Sequence, residues 1–130
     1  MNAFKVTMLA SGSKGNSALI STSKQNFLVD MGISCRMLTS RFKEIGFNAE
    51  DLDGVLITHE HTDHINGLTT FTKKYSVPIY SSELTWRAIL SKQPNILRHN
   101  CRMKSNIFSF HLILAYPRNT LVYRTDIPKF

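Results

Sequence analysis

The sequence predicts an α/β domain. Three observations carry this. Short apolar runs rich in β-branched residues alternate with amphipathic helical stretches. The middle of the chain reads strand, polar loop, helix, strand, helix. The 130 residues are 42% hydrophobic, enough for one domain with an ordinary core.

In chain order, FKVTMLA (4–10) reads as a first strand, and the turn-forming SGSKGN (11–16) follows. SALIST (17–22) and NFLVD (26–30) are two further strands joined by a polar turn. Adjacent Leu28 and Val29 suit a strand covered on both faces. A helix is predicted from Ser34, its N-cap, to Ile45, with Gly46 as the stop. Met37, Leu38, Phe42 and Ile45 are its inward face. GVLIT (54–58) is a buried strand that delivers the chain into HEHTDH. A second helix is expected over 63–75, with Ile65, Leu68, Phe71 and Thr72 facing in. Pro78 ends it, PIY is a short strand, and Ser82 caps a third helix, ELTWRAIL. Beyond Pro94 the pattern weakens, although IFSFHLIL (107–114) and LVYRTD (121–126) read as strands. There is no repeat or linker, so the expectation is a single domain over 1–130.

Sixteen Lys+Arg against nine Asp+Glu give a formal charge of +7, which favours polyanionic partners such as nucleic acid. The basic residues are scattered, so they define no local patch. The two cysteines, Cys35 and Cys101, form no CxxC pair, and a reduced cytoplasmic chain accounts for them. No apolar run reaches the length of a membrane span, and no membrane partner is expected.

The chemistry concentrates in ITHEHTDH (57–64). His59 and His61 are two residues apart, so in an extended segment both imidazoles point the same way. Two converging imidazoles are half of a tetrahedral zinc site. If the chain turns next, Asp63 and His64 face the same space from another angle. Four donors this close cannot comfortably surround one ion, but they can serve two ions roughly 3.5–4 Å apart. Such a pair lowers the pKa of a bridging water, with Asp63 as both ligand and hydrogen-bond acceptor from the nucleophile. His/Asp donors admit zinc, manganese or iron. A helical H-E-x-x-H zincin is excluded, because Asp63 stands where the second histidine belongs.

H-x-H-x-D-H after a buried strand resembles the signature of the metallo-β-lactamase superfamily. MLASGSKGNSALI, NFLVDMGIS, DGVLITHEHTDHINGL and KKYSVPIYSSELTW resemble its YycJ/WalJ branch, over residues 4 to about 100. The resemblance implies an αββα sandwich of two similar halves, of which this chain holds one as a mixed sheet with flanking helices. It implies two divalent ions, zinc foremost, with His59 and His61 on the first and Asp63 and His64 on the second. It implies that Asp30 fixes the loop carrying the histidines. It implies phosphodiester hydrolysis of the exonuclease type, with DNA as partner. Family chains are about twice this length and complete the site with later residues. Within the divergent tail, 101–130, His111 and Asp126 are the candidates for those ligands; an ordinary strand or surface residue is the alternative reading of each. A half-sandwich leaves an exposed sheet face, so self-association is expected. The rival expectation is a truncated, catalytically inactive metal-binding or interaction fragment.

Other motifs are weaker. Ser11-Gly-Ser-Lys14 matches S-x-x-K, but the other boxes of the serine β-lactamases are absent. GSKG has no P-loop G-K-[ST], although Lys14 can lean toward an anionic substrate. Trp86, with Tyr75 and Tyr80, could stack bases; its helical spacing with Ile89 and Leu90 favours core packing.

Overall fold

The computed structural model describes residues 5–103. The strands expected over 107–114 and 121–126, with His111 and Asp126, lie outside the described residues.

Six strands form one mixed sheet in chain order: β1 (Lys5–Ala10), β2 (Ser17–Ser21), β3 (Asn26–Val29), β4 (Gly54–Leu56), β5 (Ile79–Ser81) and β6 (Cys101–Met103). The first three pair antiparallel through short turns. The pairs β3–β4, β4–β5 and β5–β6 are parallel, so each needs a helical crossover. Those crossovers contain α1 (Cys35–Glu44), then α2 (Thr62–Ile65) with α3 (Leu68–Lys74), then α4 (Glu83–Lys92).

The core lies between the helices and one sheet face. Leu19, Leu28, Val55, Ile79 and Cys101 form a row across the sheet, because strand register places them side by side. Leu38, Phe42, Leu68, Phe71, Trp86 and Ile89 from the helices belong to the same cluster. Trp86 is buried and its indole N–H donates to the Arg102 carbonyl at 2.7 Å, so it is a core residue. On the opposite face Phe27, Leu56 and Tyr80 are buried, whereas Val6 and Met8 of β1 are 52% and 60% exposed.

The caps are as expected. Ser34 Oγ accepts from the Met37 N–H and Ser82 Oγ from the Thr85 N–H. Three expectations are corrected. On α1 the inward residues are Cys35, Leu38 and Phe42; Met37 and Ile45 are 45% and 44% exposed. Cys35 and Phe42 are seven residues apart, about two turns, and with Leu38 they set a buried stripe roughly 100–160° round the helix from Met37, while Ile45 is the C-cap beyond its end. The helix expected over 63–75 is two helices broken at Gly67. There the backbone passes so close to Ile33 that a Cβ would lie 2.3 Å from its carbonyl oxygen, and the Gly67 N–H donates to Met31 O. The loop after β3 therefore takes the N–H that a continuous helix would have used. Third, β6 pairs with β5 although only three residues, CRM, mark it.

Cys35 and Cys101 are free and buried. Burial pushes the Cys101 thiol from its ordinary 9.0 up to about 11, against the opposing pull of Arg102 and Arg98. Burial also raises Cys35, with Lys74 and Thr39 opposing. The folded chain therefore holds the Cys101 proton more tightly than the unfolded chain does. Stability is full below pH 9 and falls as pH rises toward 11, by about 2–3 kcal/mol at most from this group. We expect no native-state reaction with a thiol reagent at pH 7 and a falling Tm across that alkaline window; fast labelling of both thiols in the native chain would contradict it.

Candidate metal centre

The parallel register sets the site. Val29 of β3 pairs with Leu56 of β4, so the loops leaving both strands emerge at the same carboxyl edge of the sheet. The first loop begins at Asp30 and the second carries His59 and His61. Asp30 is only 5% exposed and has φ 63°, the left-handed region that Asp tolerates better than most residues. Its N–H still bonds Leu56 O at 2.8 Å, so the strand pairing ends just as the side chain turns into the site.

That carboxylate organises both histidine positions. Oδ1 accepts from the Thr58 N–H at 2.8 Å. Oδ2 lies 2.8 Å from Thr58 Oγ1 and 2.7 Å from His64 Nδ1. A carboxylate only accepts, so His64 carries its proton on Nδ1 and its Nε2 is an unprotonated acceptor, 3.4 Å from Asn16 Nδ2. Thr58 Oγ1 also lies 2.9 Å from His59 Nδ1. With the hydroxyl proton given to Asp30, that oxygen accepts from His59 Nδ1–H, and His59 likewise keeps Nε2 free. Asp30 thus orients His64 directly and His59 through Thr58.

The three imidazoles converge. The His59 ring centroid is 3.9 Å from that of His64 and 4.5 Å from that of His61. Asp63 Oδ2 is 3.5 Å from His64 Nε2. His59, His61, Asp63, His64 and Asp30, the residues named from sequence, lie together at this edge of the sheet. The donors are gathered without closing a coordination shell; among the described residues no group of three or more His, Cys, Asp or Glu is already arranged to hold an ion. Carboxylate donors and imidazoles with unprotonated Nε2 atoms suit zinc and, less selectively, manganese or iron.

Backbone contacts hold α2 in place. As a four-residue helix it leaves its carbonyls unpaired internally. The Asn16 N–H donates to Asp63 O and the Met31 N–H to His64 O, both at 2.8 Å. Gly32 lies under this crossing: a Cβ there would be 1.7 Å from Asp63 O, so only glycine fits. Three further residues serve the site without having been singled out from sequence. Asn16 Nδ2 donates to Asp63 Oδ2 at 3.0 Å and to Gly12 O at 2.9 Å. Thr58 is the link just described. Gln93 joins the broken helix, with Nε2 donating to Ile65 O at 2.8 Å and Oε1 accepting from the Thr69 N–H at 3.2 Å. The SGSKGN turn and the residue before His59 offered signals for the first two; nothing near Gln93 marks the third.

The fold and the gathered donors define a class. Residues 10–100 match the family model of the metallo-beta-lactamase superfamily, and the chain belongs to that superfamily. Within it, the chain is 50% identical over 86 residues to the exodeoxyribonuclease WalJ of Streptococcus pneumoniae, covering 66% of this chain and 32% of that protein. It is 43% identical over 83 residues to the exodeoxyribonuclease YycJ of Bacillus anthracis, covering 64% and 31%. An anti-Pycsar protein of a Bacillus phage is 44% identical over 71 residues, 49% of this chain and 26% of that protein. The chain thus spans about a third of the length of the two exodeoxyribonucleases. Among solved structures, the chemotaxis sensor ODP in its peroxy diiron form superposes with a TM-score of 0.60 at 18% identity, over 78% of this chain and 40% of that one. A motif mutant of a metallo-beta-lactamase from Cronobacter sakazakii gives 0.54 at 20% identity, over 62% and 32%. These structures share the fold.

Proposed function

We propose that this chain carries the first-half ligands of a metal-dependent phosphodiesterase of the exodeoxyribonuclease type. The observation that carries the reading is Asp30 holding His59 and His64 with both Nε2 atoms unprotonated beside His61 and Asp63, that of His64 lying 3.4 Å from Asn16 Nδ2. The exodeoxyribonuclease names of the relatives supply the substrate class, DNA. Two divalent ions, when bound, supply a hydroxide nucleophile near neutral pH and polarise the phosphoryl oxygen. His59 and His61 would hold one ion, and His64 and Asp63 the other. Asp63 would also accept the proton of the attacking water; the Asn16 Nδ2 bond to its Oδ2 supports that role by holding the carboxylate.

The test is release of nucleotides from end-labelled DNA by the purified chain with added zinc or manganese. Chelator-sensitive release is expected. A second reading has its own support: residues 10–100 match the family, no closed ligand set is present among the described residues, and the match covers only 32% of the first exodeoxyribonuclease. On that reading the chain binds metal without turnover, as an inactive interaction fragment. Stoichiometric zinc with no release of nucleotides decides for it. Exposed Val6 and Met8 on the sheet face away from the helices support self-association, which a monomeric mass by light scattering would refute.

A further inference from the structure

We propose that the cleft between the β1–β2 turn and α2 binds a phosphate of the substrate strand next to the one being cleaved. This rests on the phosphodiesterase reading above and names a subsite for it. The cleft has a volume of about 220 Å³ and is lined by Ser13, Lys14, Gly32, Thr62, Asp63 and Asn66. It therefore shares Asp63 with the candidate metal centre.

Its polar side chains are uncommitted. Among the described residues, those of Ser13, Lys14, Thr62 and Asn66 make no hydrogen bond or ion pair. Neighbouring polar groups are spent: Asn16 on Gly12 and Asp63, and Lys92 on the Glu60 carbonyl at 3.0 Å. Lys14 is thus a free cation at the edge of the site. An ammonium, two hydroxyls and an amide lining one hollow, all four side chains exposed, match a small anion with several acceptor oxygens. A phosphate of a polyanionic strand is that anion, and the formal charge of +7 favours such a strand. Asp63 is the one acid on the wall, and its Oδ2 is already engaged by Asn16 Nδ2.

The hollow is also held in place. Asn16 N–H to Asp63 O ties the turn carrying Lys14 to α2, and Gly32 N–H to Asn16 O ties it to the loop after β3, both at 2.8 Å. The distance from Lys14 to the metal ligands is therefore set by backbone bonds, which is what a positioning subsite requires.

The experiment is anisotropy of a labelled, cleavage-resistant phosphorothioate oligothymidylate with the full chain equilibrated with zinc. Zinc content is measured on the same samples. Lys14→Ala is expected to weaken binding about tenfold with unchanged zinc, and to lower the slope of log K against log salt by about 0.7, one single-strand phosphate contact. Lys14→Arg retains most of the affinity, and Lys73→Ala, on the exposed end of α3, leaves it unchanged. Because Lys14 is exposed, the fold tolerates these changes. Unchanged affinity and slope in Lys14→Ala overturn the subsite and leave the hydrolase reading standing. A loss of affinity that tracks a loss of zinc also overturns it. A wild-type chain that holds zinc but has no affinity for the oligonucleotide overturns both.

Discussion

A chain carrying His59→Ala and His61→Ala is expected to keep its fold and lose its metal. His61 is exposed, His59 is half-buried, and neither belongs to the core cluster. Substitutions at such positions change stability by roughly 0.5 kcal/mol or less. Removing two of the four gathered donors should weaken zinc by at least the roughly 100-fold that losing a mere orienting partner can cost. Calorimetry separates the two effects. Zinc at about one hundred times its Kd stabilises the wild type by about 2.7 kcal/mol, visible as a rise in Tm. The double variant should melt like the metal-free wild type and show no rise. A zinc-dependent shift that survives both substitutions would remove these histidines from the centre.

What could be read from sequence follows how local each cause is. The strand over 54–58 and the cluster behind it were legible because GVLI is apolar at every position and the donors are contiguous. Both serine caps were legible because a cap is a contact within one turn. The break at Gly67 was not, because a helical pattern runs through it and the cause is the backbone of Met31 and Ile33 from another loop. The same holds for β6, where pairing with β5 outweighs a three-residue signal, and for Gln93, whose partners are 24 and 28 residues away. Met37 was misplaced because its neighbour Leu38, about 100° round the helix, is the residue that faces in, and Ile45 because it is the C-cap, where the helical phase no longer sets the side chain's direction. Asp30 is intermediate: its place came from resemblance to a family, and its reach to His59 through Thr58 required the geometry.

Asp30 is also where the sharpest separation of stability from function is expected. Asp30→Ala removes the acceptor for Thr58 N–H, Thr58 Oγ1 and His64 Nδ1 together. Thr58 is exposed and His64 partly buried, so water takes over part of the bonding and each lost hydrogen bond costs about 0.5–1.5 kcal/mol; a φ of 63° adds about 1–2 kcal/mol for a residue with a bare Cβ. The variant should be several kcal/mol less stable and should lose the site with the fold. Asp30→Asn is the informative change, because it keeps size and shape. Its amide oxygen can still accept from the Thr58 N–H, but its NH₂ then faces His64 Nδ1. Two donors cannot share that 2.7 Å contact, so His64 must move its proton to Nε2, the nitrogen a metal needs. The expected result is a chain of near-wild-type Tm whose zinc affinity falls roughly 10- to 100-fold in competition with a chelator. Nitrogen NMR of His64 should show the tautomer exchange directly. Wild-type zinc affinity in Asp30→Asn would mean that the carboxylate merely packs the loop and does not set the tautomer of the histidine beside it.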